Sequence, residues 1–84
     1  MAKWIKANGE TKEVQPKNGT DYSLGELQGF VGGYIEIVYL EGGGIMVANE
    51  EGLLEGLPIN SIASMTAGTV IVGDVLVCKS EEVK

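Results

Sequence analysis

Residues 23–40, SLGELQGFVGGYIEIVYL, change hydrophobic period half-way along, and that change decides the fold class. Leu24, Leu27, Phe30 and Val31 recur at helical spacing behind Ser23, and Glu26 stands three residues after that serine. In this arrangement the serine hydroxyl and the glutamate carboxylate each take up a backbone N–H that a helix start leaves unpaired. A short helix over residues 24–31 is therefore expected. Gly32-Gly33 ends it, because glycine enters the left-handed conformation after a helix without a side-chain clash. Residues 34–40 are then β-branched and aromatic, the composition of a strand. Along that strand Ile35, Ile37 and Tyr39 share the face expected to meet the core. Tyr34, Glu36 and Val38 share the other, a mixed face suited to contact with a partner.

Working outward, residues 3–7 and 11–15 flank Asn8-Gly9, which supplies the positive φ angles of a tight hairpin turn, with Trp4 as its anchor. Pro16 stops the second strand. Residues 41–44 link the strand after the helix to residues 45–49 in a second hairpin. Residues 53–57 are expected as a short strand or an extended connection. Asn60 or Ser61 caps a helical turn carrying Ile62, Ala63 and Met65. Residues 70–78 are strongly β-prone but interrupted by Gly73-Asp74, which predicts a bulge or bend. The sum is an α+β fold: a small, mostly antiparallel sheet of about five strands, with one short helix packed on it and a helical turn. Residues 1–84 are read as a single domain, with residues 79–84 as a frayed tail.

The charge pattern narrows the partners. All six basic residues are lysines (Lys3, Lys6, Lys12, Lys17, Lys79 and Lys84), and the formal net charge is −6. Asp21, Glu26, Glu36, Glu41, Glu50, Glu51, Glu55 and Asp74 occupy a stretch with no positive side chain at all. Nucleic-acid affinity rests largely on Lys and Arg neutralising phosphates, so direct nucleic-acid binding is not expected. No apolar run reaches the roughly 18–20 residues of a membrane span, and residues 1–6 lack the apolar stretch of a secretory signal. A cytoplasmic protein with no membrane contact is the expectation, which the single cysteine, Cys78, fits.

Chemistry is limited by what is missing. Without histidine there is no Ser-His or Cys-His pair, and one cysteine makes no thiolate zinc site. No catalytic residue, no metal site and no cofactor is expected, and the chain is read as a non-enzyme. Gly42-Gly43-Gly44 lacks the Lys-Ser/Thr of a phosphate loop and precedes a strand, while Gly32-Gly33 closes a helix rather than opening one. Adjacent Glu50 and Glu51 would point to opposite faces on a strand. The surface that remains is Asn49-Glu50-Glu51-Gly52 with Gly56-Leu57-Pro58-Ile59-Asn60. These are two short turns whose Asn, Glu and backbone amides can recognise a small polar ligand or a protein edge.

The pieces Val31-Gly32-Gly33-Tyr34-Ile35-Glu36, Asn49-Glu50-Glu51-Gly52, Gly56-Leu57-Pro58-Ile59-Asn60 and Ile71-Val72-Gly73-Asp74-Val75-Leu76-Val77 together resemble one family. It is the domain-of-unknown-function family three-eight-four-six, small proteins of bacteria, plasmids and bacteriophages, and the resemblance runs from about Lys6 to Cys78. It implies no activity and gives no residue a role, but it draws attention to Tyr34, Glu36, Asn49, Glu50 and Asn60. With Pro58 these are the candidate ligand-binding residues. The leading expectation is a phage or mobile-element accessory protein in a bacterial host cell, acting as an anti-defence sponge for a small nucleotide signal and assembling as a small homo-oligomer. The alternative is an acidic protein–protein inhibitor or adaptor that acts on a host protein in the manner of a DNA mimic.

Overall fold

The computed structural model describes residues 2–83. Five strands and two helices follow in the order β1 (Ala2–Ile5), β2 (Thr11–Val14), α1 (Leu24–Val31), β3 (Ile35–Tyr39), β4 (Gly44–Asn49), α2 (Ser61–Ala67) and β5 (Val75–Lys79), with a 3₁₀ turn at Ser80–Glu82. The α+β reading is correct. The strands lie in the order β2-β1-β5-β4-β3, each antiparallel to its neighbours. Both predicted hairpins form, and β5 inserts between them to make one open sheet.

Local chemistry sets α1 where the sequence places it. Ser23 Oγ accepts from Glu26 N, and Glu26 Oε1 accepts from Ser23 N at 3.0 Å. The backbone N–H groups of Ser23 and Lys17, both donated to Glu26, hold its carboxyl below the usual range. Gly32 takes φ 80° and its N–H donates to Gln28 O, which closes the helix end.

The sheet is covered on both faces, so strand β4 is buried at Ile45, Met46, Val47, Ala48 and Asn49 without the alternation of a half-exposed strand. Leu27 and Val31 of α1 pack with Tyr22, Val47 and Leu76 on one face. Ala63 of α2 and Ile71 pack with Met46, Val75 and Ile5 on the other. Trp4 joins the first cluster edge-on to Phe30, with its indole N–H donated to Phe30 O at 3.1 Å.

Four expectations need correction. Val38 does not lie on an open contact face, because it packs in the second cluster beneath the α2 layer. Tyr39 does not join Ile35 and Ile37 in the core; it is 81% exposed, on the outermost strand of the sheet. Residues 53–57 form no strand, and residues 53–56 are turns rather than an extended link, with Glu55 N donating to Glu51 O. Residues 79–83 are not frayed. Lys79 ends β5, Tyr22 N donates to Glu82 O, and Val83 bridges Tyr22 in parallel. Lys84 lies outside the described residues.

The Glu82 side chain helps explain that order. It is buried, and Lys79 N donates to its Oε1 at 3.0 Å. Burial alone would raise its pKa, but this hydrogen bond and nearby positive charge, including that of Lys79, outweigh burial and hold it below the usual range. Tyr22 is fully buried, its hydroxyl donating to Val14 O at 3.1 Å. Burial, with the Glu82 charge, pushes its pKa up to about 12. Cys78 is buried in β5, and burial pushes its thiol up to about 11, which keeps it in the unreactive protonated form at neutral pH.

Candidate functional site

The two predicted turns meet at one end of the sheet, beside the bend before β5. Their meeting point is held by close packing at glycine. A Cβ on Gly52 would stand 2.7 Å from Val72 Cγ2, and one on Gly73 would stand 2.8 Å from Leu57 Cδ1. Gly73 also has φ 77°, a conformation that side chains disfavour. Gly73 N donates to Pro58 O, Asn60 N donates to Ile71 O, and Ile59 bridges Val72. Asp74 reaches across to the first hairpin, its Oδ1 accepting from Ala7 N at 2.9 Å.

Both candidate asparagines belong to this frame. Asn60 is 1% exposed. Its Oδ1 caps α2 by accepting from Ala63 N at 3.0 Å, and its Nδ2 donates to Ile5 O and Gly73 O. One amide thus ties α2, β1 and the bend before β5. Asn49 is 4% exposed. Its Nδ2 donates to Val31 O and to Glu55 Oε1, and its Oδ1 accepts from Glu51 N at 2.8 Å. A Cβ on Gly33 would approach Asn49 Nδ2 to 3.0 Å, so the glycine after α1 makes room for this junction. Asn49 and Asn60, both expected to contact a ligand, have their amide atoms hydrogen-bonded inside the chain. Asn60 was legible as a cap, and a capping oxygen is already engaged; Asn49, at a strand end, resembles any turn residue.

The other candidates divide among shallow cavities. Tyr34, Glu51 and Glu55 line one of about 340 Å³ with Gln28 and Gly33. Glu36 and Glu50 line one of about 70 Å³ with Leu53 and Val70. Pro58 lies apart, lining a cavity of about 200 Å³ with Trp4, Phe30, Leu57 and Asp74. The structure therefore brings Tyr34 and Glu36 to the flanks of the turn at residues 50–56 but does not place Pro58 with them. Tyr34 O accepts from Glu50 N, which fixes the turn against β3.

Sequence reading expects exposed leucine and proline at these turns but does not name Leu53 or Leu54 as contact residues. Leu53 is 78% exposed and Leu54 87% exposed, with Tyr34 and Val70 also exposed beside the same turn. Glu36, Glu50, Glu51 and Glu55 surround them, all exposed. The available signal was Leu53-Leu54 inside a run of glutamate and glycine too short to bury either side chain. Among the described residues, no group of three or more His, Cys, Asp or Glu converges as metal ligands would. No helix among them is long and apolar enough to cross a membrane.

Residues 4–84 match the family model described as Domain of unknown function (DUF3846). No curated protein and no solved structure matches the chain.

Proposed function

The chain belongs to the DUF3846 family, and from that premise, which brings no activity with it, we propose that it is a non-catalytic binding protein that engages a basic, amphipathic segment of another protein through the turn at residues 50–56. One observation carries this reading: Leu53 and Leu54, two of the most exposed apolar side chains in the molecule, sit among four glutamates with no positive side chain nearby in sequence. Exposed leucines draw apolar contact, and the carboxylates favour Lys or Arg around it while discouraging acidic partners. The inhibitor or adaptor reading is thereby preferred over the nucleotide sponge at these turns, where an anionic ligand would meet carboxylates and no nearby cation in sequence.

A labelled lysine–leucine amphipathic peptide, titrated by fluorescence anisotropy, is expected to bind saturably and to weaken as salt is added. A lysine peptide of equal charge without leucine should bind much less. Absence of saturable binding by the first peptide would overturn the proposal.

A second reading keeps the small ligand and moves it. Trp4, Phe30 and Val14 line a mainly apolar cavity of about 520 Å³ together with Lys17 and Glu26. It joins aromatic rings to an ammonium group, the pairing that a nucleotide base and phosphate require. Lys6 Nζ already lies 4.4 Å from the Trp4 ring centroid. Trp4 is the only tryptophan, so its fluorescence reports directly on the cavity. Titration with cyclic dinucleotides and ADP-ribose should change that signal saturably; an unchanged signal with all of them rejects this reading.

A further inference from the structure

The two edges of the sheet are unlike. Edge strand β2 is short, carries Lys12 and Glu13 in sequence, and is followed by Pro16, features that discourage pairing with another strand. Edge strand β3 reads Ile-Glu-Ile-Val-Tyr and has one charge and no proline. Its hydrogen-bond phase can be derived from the pairing with β4. Glu50 N donates to Tyr34 O and Leu40 N donates to Gly44 O, and the register pairs Ile35 with Asn49 and Ile37 with Val47. Antiparallel pairs alternate between bonded and non-bonded, so residues 34, 36, 38 and 40 bond to β4. The N–H and C=O groups of Ile35, Ile37 and Tyr39 point out of the sheet.

We propose that the open edge of β3 pairs with β3 of a second copy of this chain, antiparallel about a two-fold axis at Ile37. This register sets Ile37 against Ile37 and Ile35 against Tyr39 of the other copy, and it satisfies every outward group on both strands. Shifting the axis to Glu36 would leave Tyr39 unpaired and place two Glu36 carboxylates opposite each other. In the Ile37 register each Glu36 instead faces Val38. Charge thus selects between registers in an acidic molecule that otherwise repels its own copy. Tyr39, exposed in the single chain, lies across from Ile35 on the α1 face, which gives its ring an apolar neighbour.

Two variants read this contact. Tyr39→Pro removes an outward N–H and leaves the bonds to β4 intact, and its side chain takes little from the core because Tyr39 is exposed. Light scattering after gel filtration should give a dimer for the unmodified chain and at least a roughly tenfold weaker dimer for the variant. Ile37→Cys sets two thiols opposite each other at a Cα separation of about 5.5 Å, within disulfide reach. Mild oxidation should link it as a dimer, and link Glu36→Cys or Thr11→Cys far less. Buried Cys78 adds no competing reaction. A monomer at all concentrations, a dimer in which Ile37→Cys links no more readily than the controls, or a dimer that Tyr39→Pro leaves as tight overturns the proposal. Should Tyr39→Pro fail to fold, the cross-linking result decides alone.

Discussion

Asn49 and Asn60 are polar and buried; Leu53 and Leu54, between them in sequence, are apolar and exposed. In this one segment the usual distribution of side chains is inverted. The asparagines hold the end of the sheet because each amide has both a donor and an acceptor to spend on backbone groups that the bends leave unpaired. The leucines are left outside by the same bends. Frame and proposed contact surface therefore differ in chemistry although adjacent in the chain, and substitutions should separate them.

The largest effect is expected from Asn60→Ala. It removes a helix cap, worth about 1 kcal/mol, and two buried hydrogen bonds, to Ile5 O and Gly73 O, worth about 1 kcal/mol each, so stability should fall by about 3 kcal/mol. For a domain of this size, thermal unfolding followed by circular dichroism should occur roughly 12 °C lower or more. Gly73→Ala comes next. It must adopt φ near 77° and push Leu57, and a loss of about 2 kcal/mol is expected in urea unfolding.

Glu82→Gln sharpens the comparison from the far end of β5, where a buried carboxylate does the tying instead of an amide. Its depressed pKa means that the folded state binds the proton more weakly than the unfolded one. The stability this supplies is present above the usual carboxylate range and is lost as pH falls through the folded value. The variant should be destabilised by about 1 kcal/mol at pH 7 and show a flatter decline in acid. Equal acid sensitivity in both proteins would remove Glu82 from this role. Smallest of all, the paired change Leu53→Ser with Leu54→Ser should alter stability by no more than about 0.5 kcal/mol, since exposed side chains contribute little to the core.

Local signals carried much of this fold. The reciprocal Ser23–Glu26 cap, the Gly32 stop, the Asn60 cap and the two hairpins each depend on residues within a few positions of one another, and all were legible. The insertion of β5 between the hairpins depends on pairings such as Trp4 with Leu76, far apart in the chain, and no local pattern encodes them. For the same reason the covering of both sheet faces was missed, and with it the burial of Val38. Residues 53–57 misled because Leu53 and Leu54 look like strand, while Gly52 and Gly56 permit the turns that the structure adopts. At the candidate site, sequence singles out the two turn segments but not the internal partners of their asparagines. Asn49 and Asn60 look like recognition groups until their partners, up to 55 positions away, are known.

The direct test is titration of the lysine–leucine peptide against the unmodified chain and against the Leu53→Ser, Leu54→Ser variant, with thermal unfolding of both recorded alongside. Saturable binding that disappears in the variant while the melting temperature stays within a few degrees is the result expected of a contact surface that the frame merely displays. Equal binding by both proteins would contradict the assignment of that turn.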